Sequence, residues 1–116
     1  MKAELKALIS AEVADLKGWH PTEPDWAIGV QLLVGPAGSP GEESFDLTVC
    51  HPTWLLRDPD RKPVIGRHHL FMATYSYEML ESFLLAYVER SQDDDWRGIA
   101  EKLSRLGHWE FEDYTP

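Results

Sequence analysis

At 116 residues and 13.3 kDa the chain has the size of one ordinary domain, and its 43% hydrophobic and 27% charged content is that of a globular protein, not a disordered or membrane-embedded one. Eleven Lys and Arg against twenty Asp and Glu give a formal net charge of −9, which argues against nucleic acid or an anionic membrane as partner, since both recruit basic groups. One cysteine, Cys50, excludes an internal disulfide and a cysteine-built zinc site.

No apolar run approaches the roughly 18 residues of a membrane span. The first ten residues carry acid too early for a secretory signal, so a cytoplasmic address is expected. The charges are unevenly spread. Between Lys17 and Arg57 the charged residues are Glu23, Asp25, Glu42, Glu43 and Asp46, and after Arg105 they are Glu110, Glu112 and Asp113, all acidic. Arg57, Arg61, Lys62 and Arg67 gather between these stretches, which predicts an electrically lopsided surface.

Apolar positions 3, 5, 7 (a small residue) and 8 to 9 suit a strand over residues 2–9 better than a short helix. Residues 10–25 hold Gly18, Pro21, Pro24 and Trp19, and proline bars both a helix interior and a central strand, so an ordered connection is expected. Residues 27–34 alternate, with Ile28, Val30, Leu32 and Val34 on one face. A breaker cluster at 35–41 separates them from residues 44–51, where Phe45, Leu47 and Val49 face inward and Asp46, Thr48 and Cys50 outward. The two segments form an antiparallel hairpin with a long loop. Pro52 ends the second strand, and residues 53–56 are expected to fold as a turn or short helix tucking their bulky side chains under the sheet.

The β-branched and aromatic content of residues 64–75 predicts a third strand, joined by a hairpin. From Ser76, a plausible amino cap, the period changes to helical: Tyr77, Leu80, Leu84, Tyr87 and Val88 make one stripe. Asp93, Asp94 and Asp95 read as the capped start of a second helix with Trp96, Ile99, Ala100, Leu103 and Leu106 on one face and Gly107 as its stop. Residues 108–114 alternate as a closing strand, Trp109, Phe111 and Asp113 against His108, Glu110, Glu112 and Tyr114. The expected fold is one α+β unit spanning residues 1–116, an antiparallel sheet of about four to five strands with two helices from the carboxyl-terminal half on one face.

Reactive constellations are few. Cys50 and His51 are adjacent on a strand, so their side chains leave opposite faces and cannot pair, and the same holds for His68 and His69 as a metal dyad. Glu110 and Glu112, about 7 Å apart on a strand, have the spacing of a carboxylate pair but no accompanying sugar platform. Residues 35–38 lack the ending of a phosphate loop. No cofactor or metal is implied. The pattern points to a binder whose acidic surface, formed by Glu42, Glu43, Asp46, Glu110, Glu112 and Tyr114, draws in a basic protein.

The run from Gly41 to Cys50 (GEESFDLTVC), the segments Pro52 to Leu56 (PTWLL) and Gly66 to Leu70 (GRHHL), and the tail from Ile99 to Tyr114 (IAEKLSRLGHWEFEDY) resemble the Immunity protein 8 family of bacterial polymorphic toxin systems. The resemblance implies a small α+β protein that binds a cognate toxin domain inside the producing cell and blocks it without chemistry of its own. It implies Glu43 and Asp46 in the binding surface and Phe45 and Trp109 as supports of the fold. The alternatives are an acidic adaptor or regulatory module for another basic protein, and a hydrolase using Cys50 or a histidine.

Overall fold

The computed structural model describes residues 1–113. In chain order the elements are β1 (Ala3–Ile9), β2 (Ala27–Pro36), β3 (Glu43–Cys50), β4 (His69–Phe71), α1 (Tyr77–Glu89), α2 (Trp96–Leu103) and β5 (His108–Trp109). The result is a five-stranded, mostly antiparallel sheet ordered β1-β2-β3-β4, with β5 paired to β3, and two helices in the carboxyl-terminal half.

The β2–β3 hairpin forms as the alternation requires. Its register pairs Val34 with Glu43 and Ala27 with Cys50, which brings Ile28, Val30, Leu32 and Val34 onto the same face as Phe45, Leu47 and Val49. All seven are buried, each contributing roughly 1.5–3 kcal/mol by leaving water. A slip of one residue would turn the whole set to solvent, so the apolar pattern itself locks the register. The loop between the strands turns on Gly38 and Gly41, whose φ of 77° and 98° suit glycine alone without strain.

β1 pairs antiparallel with β2, but its register shifts between Leu5 and Ala7. This bulge explains the irregular apolar spacing: Leu5 and Leu8 share the core face, while Ala7 and Ile9 lie on the other. The connection at residues 10–25 is ordered as expected, and Leu16 is buried. Trp19, Trp26 and Tyr75 pack edge to face with centroids 4.8 to 6.0 Å apart, and the Tyr75 hydroxyl donates to Leu16 O at 2.6 Å.

Both helices cover the inner sheet face. Leu80, Leu84 and Val88 of α1 and Ile99, Ala100 and Leu103 of α2 join the same core as the hairpin. Ser76 caps α1 by accepting from Met79 N, and Asp95 caps α2 by accepting from Gly98 N at 2.8 Å.

Four expectations are corrected. The third strand is only three residues long and runs parallel to β3 without a hairpin: His68, at φ 63°, turns the chain into β4 from the connection containing Pro52, Pro59 and Pro63. The closing strand stops at Trp109, where the chain turns and Glu112 N donates back to Trp109 O at 2.9 Å. Gly107 does not end α2, which closes at Leu103; it lets the chain pass against β3, where an added Cβ would lie 3.1 Å from Asp46 O and from Phe45 Cβ. In the turn at 53–56 Leu55 is buried, but Leu56 is 77% exposed.

Candidate functional site

The helices occupy one side of the sheet and leave the other open among the described residues. Residues of β1, β2, β3 and β4 with outward parity (Ile9, Gly29, Gln31, Asp46, Thr48 and His69) line a shallow cleft of about 560 Å³ on that side. Asp46 lines it and is exposed, and its Oδ1 accepts from Gln31 Nε2 at 2.9 Å, directly across the β2–β3 pair. At one end of the cleft Glu12 Oε1 accepts from Gly29 N at 2.8 Å, continuing the β2 edge where β1 stops.

Of the six residues expected to form the acidic surface, three are exposed: Glu42 precedes β3, Asp46 lies on it, and Glu110 follows β5. Glu110 N donates to Ser44 O at 3.2 Å and its Oε1 accepts from Ser44 N at 3.0 Å, which fixes it to the β3 edge. Glu43 is elsewhere. Its odd-numbered position puts it on the helix side with Phe45, and its Oε1 accepts from Trp96 Nε1 at 2.7 Å and Trp109 Nε1 at 2.9 Å. Tyr114 lies outside the described residues.

Glu112 does not share a face with Glu110, because the strand on which that pairing depended ends at Trp109. Its side chain is only 12% exposed. Arg67 Nη2 donates to its Oε1 at 2.7 Å, His68 Nε2 lies 3.9 Å from the same oxygen, and His108 Nε2 lies 3.5 Å from Oε2. His68 Nε2 is also 2.7 Å from Ser104 O, a contact that requires the proton on that nitrogen. Arg67, His68 and His108 thus line the open cleft together with Asp46 and Glu12. The alternating reading of residues 108–114 hid this cluster. The signal for it was the four-residue spacing of His108 and Glu112, which suits a helical turn.

Cys50 is fully buried, and burial pushes its thiol above its ordinary value, away from the thiolate a nucleophile needs. His51 is committed to its own turn, its Nδ1 accepting from Thr53 N at 3.2 Å and lying 2.8 Å from Thr53 Oγ1. Among the described residues no group of three or more His, Cys, Asp or Glu side chains is placed to hold a metal ion. No helix among them is long and apolar enough to cross a membrane.

Comparison with family models defines the class: the chain is an immunity protein, a non-catalytic inhibitor whose kind neutralises toxins. It belongs to the Immunity protein 8 family, whose model matches residues 3–114. No curated protein and no solved structure matches the chain.

Proposed function

We propose that the chain neutralises its cognate toxin domain by direct contact through the open sheet face, with Glu42, Asp46 and Glu110 supplying the negative potential that draws in a basic partner. The observation that carries this reading is the exposure of Asp46 on the sheet face that neither α1 nor α2 covers. A net charge of −9 supports it, since like charge spread over a small surface repels acidic partners and speeds encounter with basic ones. Glu43 supports this surface from the helix side by holding two indoles, and Glu112 holds Arg67 beside the open cleft. Tyr114, which lies outside the described residues, is retained in the proposal as an aromatic anchor. The whole chain acts as one unit in the cytoplasm of the cell that makes the toxin, where free toxin would do harm.

Co-expression with the toxin domain encoded beside this chain tests the reading. Protection of the host, with a complex whose association slows by about tenfold or more as salt rises, is expected. Undiminished lethality, or a complex formed equally fast at all salt concentrations, contradicts it.

A further inference from the structure

Strand pairing lays two rows of side chains across the open cleft. Ile9, Gln31, Asp46 and His108 make one row, and Gly29, Thr48 and His69 make the other. The second row is low, because Gly29 has no side chain and Thr48 a short one. A Cβ on Gly29 would lie 2.8 Å from Glu12 Oε1, so it is the glycine that lets the Glu12 carboxylate settle on the β2 backbone.

Around this low floor the polar groups present acceptors. Glu12 commits Oε1 to Gly29 N and Asp46 commits Oδ1 to Gln31 Nε2, and the second oxygen of each carboxylate takes no donor among the described residues. His69 Nδ1 lies 2.8 Å from Arg67 O and His68 Nε2 lies 2.7 Å from Ser104 O. A carbonyl only accepts, so each ring carries its proton on that nitrogen, and the other nitrogen of the neutral ring is an acceptor. Both rings line the cleft, and His68 is held there at φ 63°, a left-handed backbone that residues other than glycine adopt rarely. Arg67 is the one Lys or Arg in the lining, and Glu112 already holds it at 2.7 Å.

We propose that the cleft receives one arginine side chain of the toxin domain, laid over Gly29 and Thr48 with its guanidinium against Glu12 and Asp46; the inference rests on the toxin-binding reading above. A guanidinium carries five N–H donors in one plane and no acceptor, which is the converse of this lining. Its flat fork suits acceptors set on different sides of it better than the compact ammonium of lysine does. A carboxylate or phosphate entering the same space would face two carboxylates and is repelled.

The test is a set of double-mutant cycles between the full chain and the adjacently encoded toxin domain, whose surface arginines and lysines are replaced one at a time by alanine. One toxin arginine is expected whose loss weakens binding by about 10- to 100-fold. Glu12→Gln and Asp46→Asn each weaken the wild-type complex by about tenfold, but by less than about twofold once that arginine is gone. Each substitution keeps the oxygen that accepts within the chain, so both variants retain the wild-type thermal midpoint. Gly29→Ala, which raises the floor and displaces Glu12, weakens the complex to a similar degree. If no toxin base couples to both carboxylates while Glu42→Lys/Asp46→Lys still slows association, the cleft proposal falls and the open-face reading stands. Coupling of both carboxylates to a lysine overturns the assignment of arginine. Failure of the wild-type chain to bind the toxin overturns both readings.

Discussion

Glu43 and Trp109 stand 66 residues apart in the chain and meet at one oxygen, Trp109 Nε1 donating to Glu43 Oε1 at 2.9 Å. Trp96 Nε1 donates to the same oxygen at 2.7 Å, so a single carboxylate ties the start of β3 to α2 and to β5. Removing it leaves two partly buried indole donors without their acceptor. Glu43→Ala is expected to cost about 1–3 kcal/mol in chemical denaturation. Glu43→Gln, which keeps an acceptor oxygen, costs less than half as much, and Glu42→Ala stays within about 0.5 kcal/mol of wild type.

Gly107 passes so close to β3 that a methyl group there meets Phe45, itself fully buried, and the backbone of Asp46. Neither neighbour can swing aside as a surface side chain would. Gly107→Ala is predicted to destabilise the fold by about 1–3 kcal/mol, measured by urea unfolding, through displacement of β5 from β3. Unchanged stability would show that β5 yields freely.

Cys50 offers a direct check on the absence of covalent chemistry in protection. With its thiol raised by burial it remains protonated at neutral pH, so a disulfide reagent modifies it only in denaturant. Cys50→Ser buries a hydroxyl in place of sulfur and lowers stability by about 1–3 kcal/mol, while protection against the toxin is unaltered. Loss of protection by a stably folded Cys50→Ser would revive the hydrolase alternative.

Asp93 ties the entry of α2 to acid stability. Its carboxyl is held below the usual carboxylate range, first by the Asp94 backbone N–H at 2.6 Å and then by the Lys102 ammonium at 3.2 Å. A carboxylate depressed in the folded state stabilises fully above its unfolded pKa, and that contribution disappears as pH falls through the folded value. Asp93→Asn is therefore less stable than wild type at pH 7, and the gap closes as the solution is acidified below the ordinary carboxylate range. A gap that widened on acidification would contradict the assignment.

The hairpin and both helices were legible because each is specified by its own local pattern: the period of two at Ile28 to Val34 and Phe45 to Val49, and the capped apolar stripes that follow Ser76 and Asp95. Glu43 was expected on the acidic surface and lies instead on the helix side: its parity matches Phe45, but an acid on the core face is explained only by the two indoles that reach it. β4 and β5 were not legible at their true length. They are short segments laid on one edge of β3, β4 along Thr48 to Cys50 and β5 along Phe45 and Asp46, and partners distant in sequence decide where they start and stop. The open face followed from the outward residues of β2 and β3, whereas its margin of Arg67, His68 and His108 around Glu112 depends on turns that no periodicity encodes.

Attraction between exposed carboxylates and a basic toxin is the central claim, and the association rate constant of Glu42→Lys/Asp46→Lys with the adjacent toxin domain tests it most directly. Both side chains are exposed and neither holds the core, so the folded state is expected to survive the double change. At low salt the variant should associate about 10- to 1,000-fold more slowly than wild type, and the difference should shrink as salt is added. Equal association rates for the two proteins at low salt, with both folded, would contradict the account.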